Sequence, residues 1–172
     1  MSDQRNGQVI RRLYEAMDQH DGDTMAGCYA PDASFEDPVF GPLTGEQAGN
    51  MWRMLTSRSK DLRVELAEQH GEGDRGTARW IARYTFGPTG RPVTNDIRAS
   101  FRFRDGLIVE HTDRFSFYRW ARQALGPMGI LLGWAPPLRL ALRRRALEDL
   151  AKYSRKRAGG PTEPPDPGED TP

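Results

Sequence analysis

The pattern of hydrophobic and polar positions divides the chain into a helical first third and a strand-rich middle. In the first third, hydrophobic residues recur every three or four positions, which predicts amphipathic helices. The first helix has Ile10, Leu13, Tyr14 and Met17 on one face and ends at Gly22, and a short second helix runs through Tyr29. The third begins at Thr44, where Thr44 and Gln47 form a capping box, and ends near Ser57.

Elsewhere, hydrophobic and polar residues alternate, which predicts half-buried strands. A short strand over Ala33–Pro38 precedes the third helix, and four longer strands follow it. The longer strands are centred on Leu62–Leu66, Arg79–Phe86, Asn95–Arg104 and Leu107–Phe117. Helices followed by a run of strands predict an α+β fold, in which three N-terminal helices cover one face of an antiparallel sheet.

The stretch Arg104–Trp120 carries the most informative polar residues. It opens with Asp105-Gly106, which is typical of a tight hairpin turn. One face of the strand that follows would hold Leu107, Val109, His111, Asp113, Phe115 and Phe117. Burying the imidazole and the carboxylate without partners would cost roughly 2 kcal/mol or more each. They therefore need each other, water or a ligand, and this face is predicted to line a pocket.

Beyond residue 120 the composition changes. We predict a folded domain over residues 1–120, an amphipathic basic helical extension over residues 121–157, and a disordered Pro-rich and acidic tail over residues 158–172. The extension holds two helical stretches, Arg122–Leu132 and Leu138–Arg157. The second stretch carries eight basic residues and only two acidic ones.

The extension allows three interpretations. Its apolar run Gly126–Trp134, followed by the Arg-rich helix, could make weak contact with an anionic membrane surface. It could also fold over the pocket as a lid, or pack against a second subunit, and we favour these two. Nucleic-acid binding is not expected, because the formal net charge of the chain is only +1.

The composition of the chain limits the compartment in which the protein is expected and the kinds of site that it can contain. Among the 172 residues there is one cysteine, Cys28, which excludes an internal disulfide and suits a reducing compartment. No secretory signal and no stretch of about 18 apolar residues is found, so we expect a cytoplasmic protein. We expect no metal site, since His111 and Asp113 supply two ligands and the spacing indicates no third.

The order of elements resembles the nuclear transport factor 2-like superfamily, which includes ketosteroid isomerase, limonene epoxide hydrolase and the SnoaL-type polyketide cyclases. The matching residues are Val9–Met17, Gly22-Asp23, Tyr29–Ala33, Phe35–Pro38 and Asp105–Asp113. The resemblance covers roughly residues 8–118. It implies a cone-shaped, strongly curved sheet, a pocket and a homodimer. It says little about activity, because this fold hosts unrelated chemistries.

Position by position, the resemblance separates these enzymes. Asp37 corresponds to the general base of ketosteroid isomerase, but Ala99 takes the place of the aspartate in its oxyanion hole. The second acid of limonene epoxide hydrolase would fall at Ile81, so that chemistry is not expected. An aspartate at the position of Asp113 is the base of the SnoaL-type cyclases, and His111 fits beside it.

The leading hypothesis is an enzyme performing acid–base chemistry, isomerase-like or cyclase-like, without a cofactor. Its substrate would be a hydrophobic, carbonyl-bearing small molecule. Asp113 would be the base, His111 a supporting group and Asp37 a second acid. The predicted substrate-binding residues are Tyr14, Trp52, Trp80, Tyr84, Asn95 and Phe101. The alternative is a ligand-binding or accessory protein of the same fold without catalysis.

Overall fold

The computed structural model describes residues 2–159, so residues 160–172 of the predicted tail lie outside the described residues. The helices are α1 (Ser2–Asp18), α2 (Gly22–Ala26), α3 (Gly45–Arg58), α4 (Phe117–Leu125), α5 (Pro127–Leu132) and α6 (Pro136–Ala158). The strands are β1 (Tyr29–Asp37), β2 (Gly41–Thr44), β3 (Arg63–Glu72), β4 (Arg75–Phe86), β5 (Arg91–Arg104) and β6 (Leu107–Arg114). No helix in this part of the chain is long and apolar enough to cross a membrane.

All six strands form one sheet in the order β2-β1-β6-β5-β4-β3. Irregularities in register within the β3–β4 and β5–β6 pairs bend it, as bulges do. The predicted α+β class, with N-terminal helices on a curved sheet and a C-terminal helical extension, is confirmed. The expectation of a purely antiparallel sheet is wrong at one place, because β1 and β6 run parallel. Along the chain, β2, α3, β3, β4 and β5 lie between these two strands, so no hairpin connects them.

The strand β6 does not alternate regularly along its length. His111 lies opposite Phe101, whereas Ile108 lies opposite Phe103, so β6 has one extra residue between the two pairs. Ile108 is therefore fully buried, while Val109 is only partly buried. The predicted inner face is correct at residues 111 and 113 and wrong at residues 107 and 109. It is also wrong at Phe117, which begins α4.

The region around α2 and β1 also differs from the prediction. The helix α2 is capped by Asp21, whose carboxylate accepts a hydrogen bond from the Thr24 amide at 2.9 Å, and it ends at Ala26. Tyr29, predicted to end this helix, is instead the first residue of β1. The strand β2 was not predicted, because four residues are too few to show a period.

The helices α3 and α6 pack on each other above the sheet. The capping box between Thr44 and Gln47 is present and begins α3. Trp52 on α3 is buried against the sheet, and Leu150 on α6 joins the same core. The helix α4 belongs to a second, smaller cluster built on Trp120. The C-terminal helices thus contact the domain in two places, through α6 at the main core and through α4 at the smaller cluster.

Gly45, the first residue of α3, lies directly against β1. A Cβ atom there would be 2.7 Å from the Ala30 carbonyl oxygen, which is backbone and has little freedom to move. We expect Gly45→Ala to lower the free energy of unfolding by about 1–3 kcal/mol, the usual cost of overpacking.

The matched control is Gly7→Ala in α1, where a Cβ would meet nothing within 4 Å. This variant should be neutral or more stable by up to about 1 kcal/mol, because alanine favours helix. Urea unfolding measures both. Wild-type stability of Gly45→Ala would contradict the close approach of α3 to β1.

Candidate active site

A cavity of about 340 Å³ lies between the sheet, α3 and the C-terminal helices. Its walls are mainly hydrophobic and include Met17, Met51, Trp52, Trp80, Ile97 and Trp120. The polar side chains that reach it from the sheet include Asp37, Tyr84, Asn95 and Asp113. The volume lies within the range of small-molecule sites, about 300–1,000 Å³.

His111 and Asp113 form a buried hydrogen-bonded pair on β6. The His111 Nε2 atom is 2.9 Å from Asp113 Oδ1, and the two residues are 1% and 4% exposed. Trp80 donates a second, longer hydrogen bond to the same oxygen from Nε1 at 3.4 Å. The small residue Ala99 lies opposite Asp113 on β5. The carboxylate is thus held on one side only.

Tyr29 fixes the tautomer of His111. Its hydroxyl accepts a hydrogen bond from Trp52 Nε1 at 2.8 Å and lies 2.7 Å from His111 Nδ1. A carboxylate can only accept, so in the neutral imidazole the Nε2 atom that faces Asp113 carries the ring proton, and Nδ1 accepts the phenolic proton of Tyr29. Burial raises the pKa of Tyr29 well above its usual value, which keeps that proton in place. The ring proton of neutral His111 therefore lies on Nε2 and is donated to Asp113.

The second oxygen of Asp113 is left for a bound molecule. Both hydrogen bonds, from His111 and from Trp80, are made to Oδ1. Within residues 2–159 no group donates to Oδ2, and the residue lines the cavity. A carboxylate oxygen without a protein donor, at the wall of a hydrophobic cavity, is a strong acceptor. Oδ2 is therefore placed to accept a proton from a molecule in the cavity.

Asp37 presents a second carboxyl group to the same cavity. Burial raises its pKa to about 7, and the charge of Asp113 acts in the same direction. The amides of Val39 and Phe40 donate to Oδ1 at 2.9 and 2.5 Å, which opposes the rise. Near neutral pH a large fraction of Asp37 is thus a carboxylic acid, which can donate a hydrogen bond or a proton.

Tyr84 and Asn95 offer neutral donors on neighbouring strands. The Tyr84 hydroxyl accepts a hydrogen bond from Trp120 Nε1 at 2.8 Å, which orients it and leaves its own proton to be donated. Burial raises the pKa of Tyr84, so the phenol stays protonated. Asn95 is 8% exposed, and its amide makes no hydrogen bond within the described part of the chain.

Six of the nine predicted site residues line the cavity and three do not. The lining residues are Asp37, Trp52, Trp80, Tyr84, Asn95 and Asp113. His111 lies behind Asp113 and acts on the cavity only through it. Tyr14 packs against Trp80, with ring centroids 5.1 Å apart, and Phe101 packs against His111 at 4.3 Å. Substrate contact by Tyr14 and Phe101 is therefore not supported by this geometry.

Sequence reasoning missed Tyr29 and Trp120. Leu142 and Ala146 of α6 form part of the cavity wall, and an ion pair of 3.7 Å between Arg58 and Asp149 joins α6 to α3 beside it. Tyr29 directly precedes the alternating stretch of the short first strand, which indicates that it could belong to that strand. The prediction of a second helix through Tyr29 placed it in a helix instead. Among the described residues, no three His, Cys, Asp or Glu side chains are grouped so as to hold a metal ion.

Comparisons with known proteins point to one family. The model of the SnoaL-like domain matches residues 10–111. No curated protein sequence matches the chain significantly.

Solved structures share the fold. A proposed SnoaL-like polyketide cyclase from Jannaschia sp. CCS1 is 17% identical, with a TM-score of 0.64 over 73% of this chain and 94% of that one. An LEH-like epoxide hydrolase from M. tuberculosis is 18% identical, with a TM-score of 0.63 over 77% and 98%. IdmH, a proposed polyketide cyclase from Streptomyces antibioticus, is 26% identical, with a TM-score of 0.57 over 73% and 99%.

Removing the Tyr29 hydroxyl should allow the neutral imidazole of His111 to populate both of its tautomers. In Tyr29→Phe, His111 Nδ1 and the Trp52 indole would be buried without a partner, at a cost of about 1–3 kcal/mol each. Two-bond ¹H–¹⁵N NMR of the imidazole should show a neutral Nε2–H tautomer in the wild type and a mixture in the variant.

The control is Tyr84→Phe, which also loses a buried Trp–Tyr hydrogen bond but does not contact His111. Its His111 spectrum should match that of the wild type. A neutral wild-type imidazole that carries its proton on Nδ1 would contradict the network.

The burial of Asp37 should make stability fall with rising pH. Its pKa of about 7 in the folded protein lies above the ordinary 3.8, so the folded state binds the proton more tightly than the unfolded state. The free energy of unfolding should therefore decline from about pH 4 to about pH 7 and then level off.

Asp37→Asn keeps an oxygen for the two backbone amides and removes the titration. It should be more stable than the wild type at pH 8, by on the order of a few kcal/mol, and should lack most of the decline. Thermal unfolding across this pH range measures both proteins. Parallel curves for the two would show that Asp37 titrates normally.

Proposed function

The chain belongs to the SnoaL-like domain family, and on that premise we propose that it is an enzyme of acid–base chemistry. Its substrate would be a hydrophobic small molecule that carries a carbonyl group. The observation that carries the proposal is Asp113, whose Oδ1 is held by two donors while Oδ2 is left to the cavity. The likeness to IdmH, itself a proposed polyketide cyclase, supports the same class of reaction.

In the first step, Asp113 Oδ2 removes a proton from the carbon next to the carbonyl group. The C–H electron pair moves into the carbon–carbon bond, and negative charge develops on the carbonyl oxygen as an enolate forms. A well-positioned general base contributes about 10²–10⁴-fold to such a step. His111 positions the carboxylate through Oδ1 and does not contact the substrate.

The enolate oxygen needs donors that are in place before the reaction. Tyr84 and Asn95 offer an O–H and an N–H on the same wall of the cavity as Asp113. Protonated Asp37 offers a third donor from β1. Fixed donors in a site with hydrophobic walls stabilise developing charge more than water does. These groups together would lower the barrier to proton removal.

The reaction ends when the proton is returned. In an isomerisation, protonated Asp113 gives its proton to a different carbon of the enolate. In a cyclisation, the enolate carbon attacks a second carbonyl group of the same molecule, and the new alkoxide takes a proton from Asp37 or Asp113. Both outcomes balance without an added oxidant or reductant, and both use only the groups described above.

A second candidate function is non-catalytic binding of a hydrophobic molecule. It is favoured by the internal partners of His111 and Asp113, because both imidazole nitrogens and Asp113 Oδ1 have hydrogen-bond partners without any ligand. The cavity would then act as a receptor site, with Tyr84 and Asn95 recognising a carbonyl oxygen.

Hydrogen–deuterium exchange separates the two candidates, because it detects enolate formation whatever the final product. A panel of aromatic ketones, cyclic ketones and β-diketones is incubated with the protein in D₂O, and deuterium next to the carbonyl is measured by NMR. The wild type should accelerate exchange for at least one class, and Asp113→Asn should slow it by about 10²–10⁴-fold.

The matched control is Glu110→Gln, which removes a carboxylate from the exposed face of the same strand. It should exchange at the wild-type rate. Binding of a panel member without any wild-type exchange would replace the proposal with the receptor function. Equal exchange by the wild type and Asp113→Asn would remove Asp113 as the base.

A further inference from the structure

Charge is distributed very unevenly along the chain. The segment Arg114–Leu147, here called the arginine segment, contains seven arginines and no aspartate or glutamate. It includes α4, α5 and the first half of α6. The whole chain has a formal net charge of only +1, so the residues outside this segment carry a formal net charge of −6. Such a concentration indicates a polyanionic partner.

Exposed hydrophobic side chains are concentrated in the same segment. Within residues 5–159, every large hydrophobic side chain found exposed lies between Tyr118 and Leu147. Leu131 is 70% exposed and Trp134 is 74% exposed. Met128, Ile130 and Leu140 are also more than half exposed. An exposed hydrophobic patch of this kind marks an interaction surface, because isolated exposed residues would be scattered over the whole protein.

The two features meet on the surface. Arg91, Arg119 and Arg122 line a shallow depression together with Ile130 of α5. Guanidinium groups bind phosphate oxygens through paired hydrogen bonds. The depression therefore offers a place for a phosphate group directly beside hydrophobic side chains that avoid water.

The helix α5 is held firmly in this position. A Cβ atom on its Gly129 would overlap the backbone of Ala121 in α4, so the two helices are in direct contact. The side chains of α5 that point away from α4 are consequently presented on a fixed surface. The inner side of α6 lines the cavity, whereas its outer side is the one that carries Leu140 and Arg144 to solvent.

We propose that the arginine segment docks the protein on an anionic phospholipid membrane. Leu131, Trp134 and their neighbours would enter the boundary between headgroups and acyl chains, where tryptophan is favoured. Arg91, Arg119 and Arg122 would lie at the level of the lipid phosphates, where each basic residue contributes to binding. The proposal is independent of any reaction in the cavity.

A second copy of the chain fits this surface less well than a membrane does. A two-fold symmetric contact places the same patch of each copy against the other. It would bring together two copies of the cluster of Arg91, Arg119 and Arg122, and the arginine segment has no acidic residue to neutralise them. Phospholipid phosphates supply the missing negative charge, and the acyl chains supply the apolar environment.

Sedimentation with lipid vesicles tests the proposal on the full chain. The vesicles contain phosphatidylcholine alone or phosphatidylcholine mixed with phosphatidylglycerol. We expect binding to the anionic vesicles, much weaker binding to the neutral ones, and a steep loss of binding as NaCl is added.

Two double variants and a control make the test specific. Arg119→Gln with Arg122→Gln should weaken binding about fivefold per arginine, hence about 25-fold together. Leu131→Ser with Trp134→Ser should abolish the salt-resistant part of binding. The control, Arg63→Gln with Arg75→Gln, removes the same charge from exposed positions of β3 and β4 and should bind like the wild type. Circular dichroism checks that each variant is folded.

The following results would overturn the proposal. The first is no binding to anionic vesicles at low salt. The second is an equal loss of binding in the control variant, which would indicate attraction by net charge alone. The third is a lipid-free dimer, seen by analytical ultracentrifugation, that the Leu131→Ser and Trp134→Ser changes dissociate. That result would assign the surface to a second copy of the chain.

Discussion

The hydrogen bond between His111 and Asp113 is the interaction on which the site depends. Two polar side chains buried side by side are tolerated only when their donors and acceptors are paired. Tyr29 satisfies one imidazole nitrogen and Asp113 the other, while Trp80 shares Oδ1. One oxygen of the carboxylate remains. The carboxylate is held rigidly because the side chains that bind it are themselves hydrogen-bonded or buried. Its second oxygen, Oδ2, stays directed at the hydrophobic cavity.

Features of the fold that lie far apart in the sequence assemble this interaction. The parallel pairing of β1 with β6 brings Tyr29 to the histidine, although the two residues are 82 positions apart. The capping box at the start of α3 places Trp52 where its indole can hold the Tyr29 hydroxyl. The C-terminal helices then add Trp120, Leu142 and Ala146 to the wall of the cavity.

The sequence allowed the prediction of elements with a clear local period or a clear local cap. The α3 helix and the alternation of β5 belong to this group, and so do His111 and Asp113, because two residues on one strand keep a common face. The features that the sequence did not reveal depend on contacts between residues far apart in the chain. The bulge in β6 exchanges Ile108 for Val109 on the inner face, and no local signal marks it. Tyr29 was missed for a similar reason, because its hydroxyl finds its partner, His111, only on the neighbouring strand β6.

The central claim is that Asp113 faces the cavity with one free oxygen while His111 holds the other. A crystal structure with a bound hydrophobic ketone tests it most directly. The account predicts the carbonyl oxygen within about 3.2 Å of the Tyr84 hydroxyl or the Asn95 amide. It also predicts the adjacent carbon beside Asp113 Oδ2, with the bond from His111 to Oδ1 intact. A cavity filled by side chains, or a protein donor bound to Oδ2, would contradict it.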